Sequence, residues 1–331
     1  MKKITVLNLD TNSVGGIQTY LKMFSNYLDE SNFFKPKNFE LSKKIDPTKL
    51  FKIFYNCIRS EYIFITHISI LNLFFLIFFK KKIFFFFYGI EIWKPRSKLA
   101  KIILSNFRFK KYITCSNYSK NYLYKSVNFS KPDVSVIYPY SIFETEKKFL
   151  NIYNKKQKKN FNIVSVSRLG GEVTRGLWLL LNSLKLLKLK NINVDIIGIG
   201  EQKNKMEKYV KKNNIKNVNF HGYVKDLKPF YSKSDLSIYL TDETGLGCSV
   251  VDSIFFNTPC LISKNSASIE VFNGLGKYPY QTRNDQDKTG MTKILDNLSK
   301  SKKNPSNFKF KSQYFNKFSK KNFARNFKKI L

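Results

Sequence analysis

Asn162-Ile163-Val164-Ser165-Val166-Ser167-Arg168-Leu169-Gly170-Gly171 is the stretch whose reading decides the fold of this chain. The apolar run Asn162 to Ser167 is short enough for a strand and ends in a glycine-containing loop. Beyond Thr174-Arg175-Gly176, the leucines 177, 180, 181, 184 and 187 recur at helical spacing, so the pattern predicts strand, loop and helix in succession. The same alternation continues downstream. Strands are predicted over Val194 to Ile197, Val218 to Phe220, Leu236 to Leu240 and Cys260 to Ser263, with helices around Met206 to Val210 and from about Gly247 to Phe256. Strands and helices in alternation imply a parallel sheet with helices on both faces.

Upstream the pattern occurs once already. Ile4 to Leu9 is a short apolar run ending at Asp10; a Gly15-Gly16 turn follows, then Ile17, Tyr20, Leu21, Phe24 and Leu28 at helical spacing. Asp46 as cap and Pro47 at the first helical position start a second helix through Leu50, Phe51, Phe54 and Ile58. Tyr62 to Thr66, Ile83 to Phe87 and Lys111 to Cys115 read as strands and Leu71 to Phe79 as a helix, while Ser116 caps a helix carrying Tyr118, Tyr122 and Leu123. Between Glu144 and Asn162 the chain turns charged and loses apolar periodicity, which predicts a linker. The expected organisation is therefore α/β, with two Rossmann-like doubly wound domains, 1–155 and 156–305, facing a central cleft, and a basic, Phe-rich helical tail, 306–331.

A length of 331 residues suits two domains of about 150 residues each. The formal charge of +36 attracts phosphates, anionic lipid or nucleic acid without choosing between them. No recognition-helix, zinc or single-strand-binding signature accompanies it, and the basic residues are spread along the chain, which argues against a nucleic-acid partner. Seven arginines stand against 52 lysines, so each Arg is a candidate for bidentate recognition. Cys57, Cys115, Cys248 and Cys260 are scattered, without the spacing of a zinc site or a disulfide framework. Met1 to Asp10 has an apolar run too short for a signal peptide, and Lys80, Lys81 and Lys82 interrupt the greasy stretch Tyr62 to Trp93 before it reaches the roughly 20 residues of a membrane span. A reducing cytosol is the expected compartment. In the tail, Phe315, Phe318, Phe323 and Phe327 fall approximately on one helical face among eight basic and no acidic residues. This suits either a helix packed on the protein or one lying on an anionic membrane.

Several residues at predicted strand ends carry candidate chemistry. Gly15 and Gly16 permit close approach of a phosphate to backbone amides at a helix start. Arg168 follows the strand Ile163 to Ser167 and Arg175 closes the loop before the next helix, so two scarce arginines stand where open α/β sheets bind ligands. Asp242-Glu243-Thr244-Gly245-Leu246-Gly247-Cys248-Ser249-Val250-Val251-Asp252 combines glycines with carboxylates suited to hydroxyls, and Asp252 suits a ribose diol.

With these motifs in this order, the chain resembles the retaining glycosyltransferases of family 4, which have the GT-B fold. The carriers are Gly15-Gly16-Ile17-Gln18-Thr19-Tyr20, Tyr88-Gly89-Ile90-Glu91-Ile92-Trp93, Cys115-Ser116-Asn117-Tyr118-Ser119-Lys120, Ser167-Arg168-Leu169 with Thr174-Arg175-Gly176, Ile197-Gly198-Ile199-Gly200, and Val218-Asn219-Phe220-His221-Gly222. The resemblance implies that Gly16, Arg168 and Arg175 meet the donor diphosphate and that Glu243 to Gly247 and Asp252 line the donor. It also places Tyr88, Gly89 and Glu91 at the acceptor side or reaction centre. Two departures stand out. The family's spaced acidic pair becomes Thr244 and Asp252, with Glu243 adjacent, and its His-Gly becomes Tyr88-Gly89; His67 and His221 read as structural histidines. The implied activity is transfer of a hexose from a UDP- or GDP-linked sugar to a glycan or polyprenyl-linked saccharide in bacterial surface polysaccharide synthesis, capsule or O-antigen. No metal or other cofactor is implied, and the enzyme would work at the inner face of an anionic cytoplasmic membrane. The family's last helix commonly packs back on the first domain. The alternatives are a non-catalytic sugar-nucleotide-binding homologue and a basic nucleic-acid-binding protein.

Overall fold

A computed structural model describes residues 1–9, 15–41, 46–67, 82–89, 110–126, 133–144, 160–242, 245–273, 278–300, 310 and 312–331. They form two compact units, one of Met1–Pro139 with Phe323–Leu331, the other of Tyr140–Asn322. The predicted helix Leu71 to Phe79 lies outside the described residues, as does most of the predicted linker.

In the first unit, β1 (Lys2–Leu9), α1 (Gly16–Glu30), β2 (Phe34–Leu41), α2 (Pro47–Arg59), β3 (Tyr62–Ile65), β4 (Lys82–Phe87), β5 (Lys110–Thr114), α3 (Asn117–Ser126) and β6 (Val134–Val136) follow in order. The strands form one parallel sheet in the order β2-β1-β3-β4-β5-β6. Strand order thus reverses beside β1, and Gly15-Gly16 follows that strand. Ile83, Phe84, Phe85, Phe86 and Phe87 are all buried, because a central parallel strand is covered on both faces and reads as a continuous apolar run. Asp46 caps α2 by accepting from the Lys49 amide at 2.8 Å, and Ser116 caps α3 by accepting from the Ser119 amide at 3.0 Å.

The second unit contains β7 (Phe161–Val166), α4 (Arg175–Leu187), β8 (Ile192–Ile197), α5 (Lys203–Lys212), β9 (Val218–Gly222), α6 (Lys228–Lys233), β10 (Leu236–Tyr239), α7 (Cys248–Phe255), β11 (Cys260–Ser263), α8 (Ile269–Phe272), β12 (Gln281–Thr282), α9 (Lys288–Lys300) and α10 (Ser312–Lys317). Its parallel sheet runs β12-β11-β10-β7-β8-β9. Leu177, Leu180, Leu181 and Leu184 of α4 are buried in a core with Ile163, Val194, Ile196, Ile238, Leu261 and Leu295. Each such side chain contributes about 1.5–3 kcal/mol of burial free energy.

Two boundaries differ from the sequence reading. The division falls between Pro139 and Tyr140, ahead of the charged stretch, because the residues just after it are buried in the second unit. Ser141 bonds to Asp252 and to the Phe318 carbonyl, and the Phe143 ring packs on Tyr231 and Phe256. The Phe-rich tail is not one helix with a free apolar face. Phe318 is buried in the second unit, and the final helix α11 (Lys320–Ile330) buries Phe323 and Phe327 in the first. Phe327 lies 4.9 Å from the Phe24 ring and 5.3 Å from that of Tyr27. Of the two readings of the tail, a helix packed on the protein is the one that Phe318, Phe323 and Phe327 follow, since those rings are core.

Candidate active site

Strand order in the second unit reverses between β7 and β10. The loops leaving the carboxyl ends of these two strands therefore diverge and open a crevice, the usual ligand position in such sheets. Ser165, Ser167, Leu177, Tyr239 and Thr241 line a small cavity there.

Arg168 and Arg175 both leave β7 at this point. The loop that carries Arg168 is anchored by buried Leu169, whose amide donates to Ile199 O at 2.8 Å and whose carbonyl accepts from the Gln202 amide at 2.8 Å. Gly198 makes this possible. Its φ is +148°, and a side chain there would place Cβ 1.8 Å from the Ser167 carbonyl oxygen. The Arg168 side chain is exposed. Arg175 begins α4, where the helix dipole favours an anion. Gly176 brings this helix start against β10, for a Cβ on it would meet the Leu240 carbonyl oxygen at 2.0 Å.

A network that the sequence reading missed holds Arg175. Its Nη1 lies 3.9 Å from Oδ2 of Asp285, a carboxylate 2% exposed. Asp285 accepts from the Asp242 amide at 3.2 Å, and the Asp285 amide donates to the Asp242 carboxylate at 3.1 Å. Ser263 Oγ also donates to Asp242 Oδ1. The chain ends of β10, β11 and β12 are thereby tied to the arginine at the helix start. Asp242 stood in the motif already singled out. Asp285 follows a strand of only two residues, too short to leave a periodic signal.

After β10, Gly245 is half-buried, Leu246 is buried, and Gly247 lies at the cap position of α7 beneath the Tyr239 ring. Glu243 and Thr244 lie outside the described residues. Asp252, in α7, is 5% exposed and accepts from Ser141 Oγ at 2.7 Å. Burial pushes its carboxyl up to about 7, with the Ser141 hydroxyl and the Ile142 amide opposing the shift.

In the first unit Gly15 caps α1, its carbonyl accepting from the Thr19 amide and hydroxyl, both at 3.0 Å. Gly16 is exposed, and a Cβ there would meet nothing within 4 Å. Tyr88 and Gly89 are buried just beyond β4, the Tyr88 ring standing edge-on to Tyr20 at 5.5 Å and its carbonyl accepting from the Cys115 thiol at 3.2 Å. Glu91 lies outside the described residues. His221 bonds to Asp195 at 2.7 Å, and Lys233 stands 3.2 Å from the same carboxylate. Burial raises the Asp195 carboxyl, but the bond from His221 and the charge of Lys233 outweigh it and leave it below its ordinary value. His221 is thus committed to a structural pair. Among the described residues, no group of three His, Cys, Asp or Glu is arranged to hold a metal ion.

Comparison with known proteins follows the same lines. The sequence family described as Glycosyl transferases group 1 matches residues 146–309. An uncharacterized glycosyltransferase of Methanocaldococcus jannaschii is 29% identical over 119 residues, a match spanning 35% of this chain and only 28% of that protein. The structure of Anabaena HepE in complex with UDP and glucose superposes with a TM-score of 0.74 at 13% identity, covering 100% of this chain and 99% of that one. The apo form of the lipopolysaccharide outer core galactosyltransferase WaaB gives 0.68 at 14% identity, covering 99% and 98%. At such identities the structural likeness is one of fold. The two parallel-sheet units are thus those of the GT-B fold, and the match to the Glycosyl transferases group 1 family lies wholly within the second unit.

Proposed function

We propose that this chain transfers a hexose from a UDP- or GDP-linked donor to a glycan or polyprenyl-linked saccharide, with retention of anomeric configuration. The setting proposed is bacterial surface polysaccharide assembly, capsule, O-antigen or lipopolysaccharide, at the cytoplasmic face of the membrane. The carrying observation is Arg175 at the start of α4, beside the point of strand reversal and paired with Asp285. The UDP and glucose in the complex of HepE and the galactosyltransferase activity of WaaB support the class of donor.

In this reading Arg168, Arg175 and the α4 amides hold the donor diphosphate and neutralise the charge that grows on it as the glycosidic bond breaks. Gly16 offers its amide to the same group. Asp252 takes the ribose, Glu243 with Thr244 to Gly247 lines the sugar, and Tyr88, Gly89 and Glu91 border the reaction centre. The acceptor hydroxyl attacks from the face the diphosphate is leaving and gives its proton to a leaving-group oxygen. No separate base is called for. Because the arginines and helix ends carry the neutralisation, the reaction calls for no metal, and activity should persist in EDTA.

Thermal shift and calorimetry with UDP, GDP, their hexose conjugates and uridine test the reading. Arg175→Ala and Arg168→Ala should each weaken diphosphate binding by about 1.5–3 kcal/mol while leaving nucleoside binding nearly unchanged. Equal losses for uridine and UDP would make the arginines structural. Donor binding without turnover would instead favour the non-catalytic homologue that Thr244 and Tyr88 suggest.

A further inference from the structure

Helix α2 of the first unit has three faces. At about 100° per residue, Ile53 and Cys57 form the buried stripe. Leu50, Phe51, Phe54, Tyr55 and Ile58 fill the adjacent arc, and all five are exposed, Phe51 to 70%. The third arc carries Lys49, Lys52 and Arg59, and the helix contains no Asp or Glu. Single apolar side chains are routine on a protein surface, but five on successive turns of one helix make a contiguous patch of the kind that marks an interaction surface.

We propose that this face of α2 docks on an anionic bilayer. The apolar arc would enter the boundary between headgroups and acyl chains, with the helix lying in the plane of the surface. Lys49, Lys52 and Arg59 would reach anionic headgroups along its rim, their aliphatic stems covering the edge of the apolar arc. Charge complementarity selects this occupant. The first unit carries 26 Lys and Arg against 8 Asp and Glu, so a second copy seated on the same face would bring two strongly positive surfaces together. An anionic membrane meets both the apolar and the basic arcs. Among the described residues of the tail, Phe318, Phe323 and Phe327 are buried, so the apolar face of its last helix is already covered. The proposal does not depend on the donor reading, since it concerns a surface that can be tested without turnover.

The test is sedimentation of the full chain with vesicles of phosphatidylcholine alone and of phosphatidylcholine with phosphatidylglycerol, at low and moderate salt. Binding is expected only to the phosphatidylglycerol vesicles. The double variant Phe51→Ser with Phe54→Ser should lower the partition coefficient by about tenfold. Lys49→Gln with Lys52→Gln should lower it severalfold and flatten its salt dependence. Both pairs are at the surface, and thermal denaturation checks that the variants fold. Phe51→Trp supplies a readout that does not depend on loss of binding, since the emission it adds to that of native Trp93 and Trp178, taken as the difference from the native chain, should shift to the blue on anionic vesicles and be quenched by brominated acyl chains. Undiminished binding of the Ser double variant, or unshifted emission from the vesicle-bound Phe51→Trp variant, would overturn the proposal. So would absence of vesicle binding by the native chain, including the case where Phe51→Ser abolishes self-association and assigns the face to a second copy.

Discussion

Asp252 is the residue whose environment departs furthest from what its sequence position suggests. One and a half turns into α7, it reads as a carboxylate available to a diol, yet it is buried and its Oδ1 accepts from Ser141. Its folded-state value of about 7 lies above the ordinary 3.8. From about pH 4 to 7 the folded protein therefore keeps a proton that the unfolded chain has released, and the group's contribution to stability falls as pH rises through that window. Asp252→Asn keeps an acceptor for Ser141 without the buried charge. Its melting temperature should match the native chain near pH 4 and exceed it at pH 8; a variant less stable at pH 8 would mean that a positive group compensates the carboxylate. The same substitution should weaken donor binding if the proposed ribose contact holds, so the stability and binding readouts are separable.

At the scale of the element, the start of α4 is determined by backbone contact. Gly176 has no room for a methyl group, because the carbonyl it would strike belongs to the chain leaving β10 and cannot swing aside. Gly176→Ala should therefore shift α4 away from the sheet and destabilise the second unit by about 1–3 kcal/mol. Arg175 rides on that helix turn, so diphosphate affinity should fall with it. Chemical denaturation together with UDP titration checks both, and an unchanged midpoint would show that the approach of α4 to β10 is looser than the geometry indicates. The strands missing from the sequence reading share a cause. Strand β2 contains Pro36 and half-exposed polar residues, β6 has three residues and β12 two, and all three lie at sheet edges. An edge strand pairs on one side, and the apolar run that betrays a central strand is absent.

Across the whole molecule the chain leaves the first unit at Pro139 and returns to it at Phe323. The return is held by an aromatic cluster in which Phe327 meets Phe24, Tyr27 and Phe86, and Phe323 meets Tyr20. Tyr62 adds a hydrogen bond to the Leu331 carbonyl at 2.8 Å. Phe327→Ala should cost about 3–5 kcal/mol of stability, and in calorimetry the loss should register in the transition of the first unit while that of the second stays in place. Equal movement of both transitions would mean that the two units unfold together.

The sequence by itself determined the α/β class, the two successive doubly wound patterns and the stations of Arg168, Arg175 and Gly245 to Gly247. Periodicity and turn residues are local properties, and a buried central strand such as Ile83 to Phe87 states its environment in its own composition. Only the tertiary structure decided that Asp285 pairs with Arg175, that Ser141 holds Asp252, and that Phe318, Phe323 and Phe327 of the tail are core while Phe51 and Phe54 of α2 face outward. These are contacts between residues about 110 apart in the chain, or choices between two helices of similar amphipathic pattern. A helix's own sequence shows that it has an apolar face; what covers that face depends on which other elements the fold brings to it.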